Sequence, residues 1–412
     1  MKKFFTISSI SVLLAIIIVA CEDRPDVYEF PEDKYIYEIP DVPVTEDYVV
    51  GVPYDTKFRD TINNVWWDDT KKAHQLYTGT PLLGEYDLRE DVDVLRQHLD
   101  WGKAAGIDFF MLSWGGRGFN DTILANWERL YEEDNERPQV VIRFDPGYRF
   151  GAGKDTLQYN LLQMDSLKHD LDSIYENVML HDFAYKKSNN MPVMALTNFT
   201  NGAQIPSLTN FVNYLKGSDV IQNNIWLMAD LGGVWSSPER WGYNAANGYN
   251  GPTQGYVRSD TIQSFDAFFI TDISHNNYDR YYSQYSYLDY NYNYWQERMR
   301  PLGKEYIPTI QPGFDDRVNT PSSDRFLIPR WKDGEAYVLS SMVDGGMEYD
   351  FSSVTENPYK KWADVAKRNV GESRIVMIYN WNDFTSGRNL EPTEEFGTDY
   401  LEYTREFFKK QQ

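Results

Sequence analysis

The sequence is poor in the residues that build disulfides and metal centres. Cys21 is its single cysteine, so no disulfide can form within the chain. Its five histidines show no metal-ligand spacing and no His-Glu-x-x-His motif. The sequence also lacks Gly-x-Ser-x-Gly, P-loop and paired-glycine dinucleotide signatures. No metal and no cofactor are therefore expected.

An excess of basic residues is absent as well. The chain has 40 Lys and Arg against 62 Asp and Glu, a formal net charge of −22. Such a field repels nucleic acid and anionic lipid surfaces, so a nucleic-acid partner is not expected. A neutral ligand such as a sugar carries no penalty from this charge.

Residues 4–20 form an almost wholly apolar run at the start of the chain. Lys2 and Lys3 precede this run and Cys21 follows it, which is the arrangement of an export signal. The run is shorter than the ~20 residues that a spanning helix needs. Residues 18–21, Ile-Val-Ala-Cys, resemble a bacterial lipobox, in which cleavage leaves the cysteine as a lipidated N-terminus. We predict a signal peptide over 1–20 and a lipid on Cys21; an ordinary secretory signal with an unmodified cysteine is the alternative.

Residues 21–47 are acidic and contain four prolines, which is typical of an extended tether. Cleavage after residue 20 would remove two lysines and no acidic residue, so the formal charge would change from −22 to −24. Glu22 and Asp23 resemble the acidic stretch that directs some lipoproteins outward. We expect a lipid-anchored monomer on the outer membrane or cell surface, with a periplasm-facing position as the alternative.

The remaining residues, 48–412, alternate short apolar runs with helical stretches. In 88–105, for example, Val92, Leu95 and Leu99 recur at helical spacing and Gly106 ends the helix. This alternation and length predict an α/β fold, a (β/α)8 TIM-type barrel in one domain; a doubly wound open sheet is the alternative. The predicted strands are residues 48–53, 107–114, 139–145, 192–198, 225–230, 267–272, 306–311 and 374–381.

Polar and aromatic residues mark the ends of these strands, where barrel active sites lie. Carboxylates there can accept hydrogen bonds from sugar hydroxyls or act as acids and bases. Two other interpretations stay open: the residues cap the following helices, or they bind Ca²⁺. The strand-end residues are Asp55, Trp114, Asp145, Asn198, Asp230, Asp272, Asp315, Asp316, Asn382 and Asp383.

Aromatic residues are abundant, with 12 Trp and 31 Tyr. Flat rings can stack on the apolar faces of sugars, and we predict this role for Trp114 together with Trp66 or Trp67. Tyrosines repeat at helical spacing in 278–295. They indicate either an amphipathic helix packed on the barrel wall or an aromatic surface for glycan.

Three stretches resemble glycoside hydrolase family 99, the endo-α-mannosidase-like enzymes, and the related WbsX-type domains of bacterial polysaccharide loci. Residues 81–114 are similar to the family's opening pattern GxYxS…AGI…SWW, and 312–317, PGFDDR, to a loop after strand seven. Residues 380–392, NWNDFTSGRNLEP, resemble the signature WNEWxEGxxLEP near the C-terminus. The resemblance covers roughly residue 48 to the end, and it implies the barrel fold and a mannose-type glycan ligand.

In the family signature two glutamates three residues apart carry the chemistry, the first as base and the second as acid. Asp383 stands at the first position and Ser386 at the second. A serine cannot act as a general acid near neutral pH, so another carboxylate would have to do so. Candidates for that acid are Asp145, Asp230, Asp272 and Asp315.

Two functions follow from the resemblance and its departure. One is a glycoside hydrolase acting on extracellular polysaccharide; the other is a non-catalytic surface lipoprotein that binds glycan on a hydrolase scaffold. The predicted catalytic residues are Asp383, Asp145 and Asp272. The predicted substrate-binding residues are Trp114, Asp230, Asp315, Asp316, Asn382, Ser386 and Glu391.

Overall fold

A computed structural model of the chain describes residues 37–56, 79–84, 86–114, 120–145, 161–197, 208–231, 263–271, 281–315, 328–337, 354–384 and 386–411. Residues 38–412 form one compact unit, and residues 1–37 are a separate unit. The predicted sites at Cys21, Trp66, Trp67, Asn198, Asp272 and Asp316 lie outside the described residues.

All eight runs predicted as strands contain strands. They are β1 Val49–Tyr54, β2 Phe109–Trp114, β3 Gln139–Phe144, β4 Val193–Leu196, β5 Trp226–Asp230, β6 Ala267–Phe269, the pair β7 Glu305–Tyr306 and β8 Thr309–Ile310, and β11 Ile375–Ile378. Between β8 and β11 lies a separate antiparallel hairpin of β9 Arg330–Lys332 and β10 Glu335–Tyr337.

The main sheet is parallel throughout, in the order β7-β6-β5-β4-β3-β2-β1-β11-β8. The strands at the two ends of this order, β7 and β8, come from one short segment of the chain, residues 305–310. The N–H of Ile307 donates to Phe268 beside β6 (2.7 Å), while the carbonyl of Pro308 accepts from Met377 of β11 (3.0 Å). β7 and β8 thus fill one strand position that pairs on both sides. The sheet closes into the predicted (β/α)8 barrel, and the open-sheet alternative is wrong.

Helices lie between the strands. They are α1 Val92–Ala105, α2 Asp121–Glu133, α3 Leu161–Ile174 with a π-helical continuation Tyr175–Met179, α4 Leu208–Lys216, α5 Tyr281–Met299, α6 Pro358–Arg368 and α7 Asp399–Phe408. α1 ends at Gly106 as predicted. Gly106 adopts φ +72°, and its N–H caps the last carbonyls of the helix, a conformation that glycine reaches without strain.

Side chains alternate between the barrel interior and the helix layer along each strand. On β2, Phe109 and Met111 face inward, whereas Phe110 faces outward and packs against Trp127 of α2, with ring centroids 5.8 Å apart. The inward residues form an apolar core that fills the barrel. Its members are Phe109, Met111, Val141, Val193, Ala195, Trp226, Met228, Ala267, Phe269, Ile307, Ile375 and Met377.

From residue 281 on, the tyrosine-rich stretch lies in α5. Residues 278–280 lie outside the described residues. Tyr285, Tyr292 and Trp295 are buried, and Trp295 stacks on Tyr306 with centroids 5.0 Å apart. Tyr290 is exposed at 41%. The packing interpretation therefore accounts for the three buried rings.

Residues 38–47 lie against α6 and the start of β11. The N–H of Val42 donates to Asp364 Oδ1 (3.0 Å), and Lys367 Nζ donates to the carbonyl of Val42 (2.6 Å). Residues 38–47 of the predicted tether thus belong to the compact unit. Among the described residues, none of the helices has the length and apolarity that crossing a bilayer requires.

Buried tyrosines make the fold sensitive to alkaline pH. Burial raises the pKa of Tyr54, Tyr86 and Tyr306 well above 10.0, and that of Tyr400 to about 12. A raised folded-state pKa gives stability that is fully present below the unfolded value of 10.0 and lost as pH rises through the folded value.

We therefore expect the free energy of unfolding to decrease steadily above pH 10, with tyrosinate absorbance developing together with loss of the circular-dichroism signal. Complete tyrosine titration in a chain that keeps its native circular-dichroism spectrum would contradict this prediction.

Candidate functional site

A layer of polar side chains lies above the apolar core, at the carboxyl end of the barrel strands, which we call the mouth. Continuing the inward alternation two residues beyond the core reaches this layer on six strand positions, and at the position of β7 and β8 the layer is reached four residues beyond Ile307, at Gln311. We call it the polar floor. It consists of Ser113, Arg143, Thr197, Asp230, Thr271, Gln311 and Tyr379.

Arg143 and Asp230 form the centre of the polar floor. Asp230 Oδ2 accepts hydrogen bonds from Arg143 Nε (2.8 Å) and Nη2 (2.5 Å) and from Thr197 Oγ1 (3.0 Å), while Oδ1 accepts from Thr271 Oγ1 (3.1 Å). Burial opposes the charge of Arg143, but Asp230, with smaller contributions from Tyr379 and Asp55, raises its pKa above the ordinary value. The network links four neighbouring strand positions, with Arg143 in β3, Thr197 directly after β4, Asp230 in β5 and Thr271 just beyond β6.

This network changes the role of Asp230. Its side chain is 0% exposed, while that of Arg143 is 19% exposed. A carboxylate that is closed off and bonded to a guanidinium and two hydroxyls is poorly placed to donate a proton to substrate. The geometry favours Asp230 as a positioning residue that holds Arg143 toward the mouth, instead of the predicted acid or ligand contact.

The C-terminal motif brings Asp383 and Ser386 into direct contact. Ser386 Oγ donates to Asp383 Oδ2, and the N–H of Ser386 donates to Oδ1 (3.2 Å). Arg388 Nε lies 3.6 Å from Oδ2, and the side chain of Asp383 is 10% exposed. Ser386 therefore orients the Asp383 carboxylate, which was predicted as a catalytic group. Its carbonyl also accepts from the N–H of Asp315 (2.8 Å), which ties this motif to the loop after β8.

Two arginines, Arg388 and Arg330, contact the C-terminal motif and the rings beside it. The Arg388 guanidinium lies over the rings of Phe314 (4.9 Å) and Tyr379 (5.1 Å). Arg330, from the β9–β10 hairpin, donates to Asn389 Oδ1 (3.0 Å) and stacks over Tyr400 (4.6 Å). Burial lowers the pKa of Arg330, yet its carbonyl acceptors and ring contacts satisfy the cation. The hairpin thus fixes the loop that carries Asp383.

Asn382 acts as a clamp on the end of β1. Its Oδ1 accepts from the N–H of Asp55 (3.0 Å), and its Nδ2 donates to the carbonyl of Asp55 (3.0 Å). Both polar atoms of the buried Asn382 side chain are thus bonded to the backbone of Asp55, and this structural role corrects the predicted binding role. Asp55 is half-buried, and its Oδ2 accepts from Asn380 Nδ2 (3.2 Å).

Glu391 is an anchor below the mouth. Its Oε2 accepts from Tyr86 Oη (2.7 Å), and its Oε1 lies 3.2 Å from His98 Nε2, outside hydrogen-bond geometry. His98 Nδ1 in turn is 2.8 Å from Tyr54 Oη. The side chains of Glu391 and His98 are both 0% exposed. The predicted binding role of Glu391 is therefore corrected to joining the C-terminal motif to α1, β1 and the segment at Tyr86.

Trp114 lies in the helix layer and not at the mouth. It is 4% exposed and stacks on Phe144, with centroids 5.6 Å apart. It lines a cleft of about 330 Å³ together with Leu124, Glu128 and Val178, between α2 and the π-helical turn. Strand alternation explains the outward position, because Ser113 takes the inward one. Its predicted stacking on a sugar at the mouth is not supported by this placement.

Asp145 and Asp315 lie at the same end of the barrel as Asp383, because the strands that precede them are all parallel. Asp145 is half-buried and Asp315 is 8% exposed. In the part of the chain that the structure describes, no three His, Cys, Asp or Glu side chains converge to hold a metal ion.

Arg143, Gln311 and Tyr379 were not predicted as site residues from the sequence. The predicted residues were those that end or follow each strand, whereas the polar floor is formed by the residues on the inward phase of the strands. Arg143 precedes a phenylalanine and the predicted Asp145, so the alternation in Arg143-Phe144-Asp145 was the signal that could have found it.

The chain is similar to one described family and to several solved structures. The family model described as "Glycosyltransferase WbsX" matches residues 158–404. A solved structure described as a "Glycoside hydrolase-like protein" is 18% identical, with a TM-score of 0.64 over 92% of this chain and 99% of that one. The GH99 endo-alpha-mannosidase from Bacteroides thetaiotaomicron is 13% identical, with a TM-score of 0.57 over 88% of this chain and 97% of that one. A search of curated proteins gave no match.

The two structural likenesses support the barrel fold alone, because both identities are low. The family match is of a different kind, since it spans more than half of the 412 residues and includes the C-terminal motif around Asp383. The chain belongs to the WbsX family.

Proposed function

We propose that this protein is a glycoside hydrolase that cleaves oligosaccharide or polysaccharide chains at the mouth of its barrel. The observation that carries the proposal is the position of Asp383: an oriented carboxylate at the mouth, beside a floor of hydroxyl, amide, guanidinium and phenol groups. Such groups match the donors and acceptors of sugar hydroxyls. The scaffold is that of glycoside hydrolases.

The proposed substrate is a neutral, mannose-type extracellular polysaccharide cut within the chain. The comparison that supports this choice is the structural likeness to an endo-alpha-mannosidase. The net charge of −22 disfavours anionic polymers, while neutral sugars are unaffected.

Asp383 acts as the base in this proposal. The acid has to come from a carboxylate that reaches the substrate, because the Ser386 hydroxyl is bonded to Asp383 and cannot supply a proton near neutral pH. Among the described candidates, Asp145 is half-buried and Asp315 is 8% exposed, whereas Asp230 is enclosed by Arg143. Asp55, which follows β1 at the same end of the barrel, is half-buried as well. We assign the acid to Asp145, which follows β3 at the same end of the barrel as Asp383, with Asp55 as the variant to compare.

A second function is favoured by one observation. Ser386 occupies the place of the family's acid and bonds to the remaining carboxylate. A barrel that lost this acid would still hold glycan with its polar floor. In that case the protein is a non-catalytic glycan-binding lipoprotein.

Incubating the purified protein with α-mannan and a panel of bacterial and fungal glycans separates the two functions. Released oligosaccharides, detected chromatographically, together with loss of product in Asp145→Asn, support the hydrolase. Binding measured by calorimetry without any product supports the binding protein. Neither binding nor product across the panel would refute both.

We further propose that the protein is anchored through lipid on Cys21 and faces outward. The lipobox-like residues 18–21 support this placement. Cys21→Ser should release the protein from membranes or block its maturation, as seen by fractionating cells and by mass spectrometry of the N-terminus. Unchanged membrane association of the variant would show that the anchor lies elsewhere.

A further inference from the structure

Gln311 is a buried polar side chain without a partner. It is 0% exposed, and neither its Nε2 nor its Oε1 has a hydrogen bond in the structure. Leaving a buried donor and acceptor unsatisfied costs free energy, so folded proteins rarely keep such a group without a reason. A missing partner of complementary polarity is the simplest physical reason.

The position of Gln311 shows where that partner would lie. β8 pairs with β11 through Thr309 with Met377 and Ile310 with Ile378. Extending this register by one residue places Gln311 beside Tyr379, both on the inward phase of their strands. Gln311 is therefore part of the polar floor and adjoins the loop that carries Asp383.

Tyr379 adds a neighbouring donor. It is half-buried, and burial together with the charge of Asp55 raises its pKa above the ordinary value. The phenol thus keeps its proton and can donate a hydrogen bond at neutral and mildly alkaline pH. An amide and a phenol side by side offer two donors and two acceptors to one ligand.

We propose that Gln311 is a sugar-binding residue that recognises two adjacent hydroxyls of one neutral sugar ring. One hydroxyl accepts from Nε2 and its neighbour donates to Oε1, while Tyr379 binds beside them. The side chains that shield Gln311 rotate when the ligand enters, as side chains at binding sites commonly do. This inference rests on the proposed glycan function and adds its specificity determinant.

Gln311→Met tests the proposal, since methionine keeps the length of the side chain and removes both polar atoms. We expect the affinity for the best glycan of the panel to fall about 10- to 100-fold. The melting temperature without ligand should stay the same or increase, because two unsatisfied atoms disappear from the interior.

Thr309→Val is the matched control. Thr309 lies on the same strand and phase, one layer deeper, and its buried Oγ1 also lacks a partner. This variant should leave glycan affinity unchanged. A glycan that lacks one of the two hydroxyls should bind the wild-type protein more weakly than the parent glycan does. The Gln311→Met variant should bind the two glycans with equal affinity, because the group that distinguishes them is gone.

The outcomes separate this inference from the proposed function. Wild-type protein that binds no glycan refutes the proposed function and, with it, the inference. Wild-type binding with equal affinity in Gln311→Met refutes the inference alone. A lowered melting temperature with unchanged affinity also overturns it, because Gln311 would then hold a structural water molecule.

Discussion

Asp383→Asn should reduce glycan turnover by about 10²- to 10⁴-fold, the range expected when a general acid or base is removed. Asparagine has nearly the same size and keeps an oxygen that can accept from the N–H of Ser386, as Asp383 Oδ1 does now. The fold of the motif should therefore survive while the base is lost. Steady-state rates of oligosaccharide release, with glycan affinity measured in parallel, check this result.

Asp134→Asn is a suitable control, because this carboxylate pairs with Lys103 in the helix layer, far from the mouth in the barrel architecture. It should leave turnover unchanged.

Ser386→Glu restores a carboxyl group at the family's second position and should increase turnover. Asp383→Asn with full activity would show that the base lies elsewhere. Binding without turnover in wild type, followed by turnover in Ser386→Glu, would show that the active site has decayed.

Asp230→Ala should decrease the free energy of unfolding by about 3–5 kcal/mol, as expected when one partner of a buried ion pair is removed. The change leaves Arg143, Thr197 and Thr271 without the oxygen atoms that now accept their hydrogen bonds. Chemical denaturation monitored by circular dichroism measures the loss.

Two comparisons make the cause of this loss specific. The exposed pair of Arg129 and Glu133 is the control, and Arg129→Ala should cost less than about 1 kcal/mol. The double variant Asp230→Leu/Arg143→Met should cost less than Asp230→Ala, because it leaves no buried charge behind. If Asp230→Ala lost less than about 1 kcal/mol, the pair would not hold the polar floor together.

Much of the fold followed from local pattern. Short apolar runs gave all eight strand positions, and helical spacing with a closing glycine gave α1 and its end at Gly106. These features depend on residues near each other in the chain, so periodicity and turn chemistry are enough to find them. Strand limits shifted by a few residues, as at β4, where pairing with both neighbours decides how far the strand extends.

Side-chain direction was harder to predict. Trp114 and Asp230 both end a strand, but one packs on the helix layer and the other lies in the polar floor. Knowing that a residue ends a strand does not tell whether its side chain points into the barrel or toward the helices. A shift of one residue along the strand exchanges these two directions. For the same reason Arg143 and Gln311 were not predicted, although both lie in the polar floor and Trp114 does not.

The sequence by itself determined the barrel class, the family resemblance and the motif with Asp383 and Ser386, because these rest on residue order. Only the tertiary structure decided that β7 and β8 close the barrel as one strand position, and that Asn382 and Glu391 serve as buried clamps. Only the tertiary structure shows that the buried side chain of Gln311 has no hydrogen-bond partner. The physical reason is that each of these outcomes depends on hydrogen bonds between residues far apart in the chain, and their geometry exists only after the strands have paired.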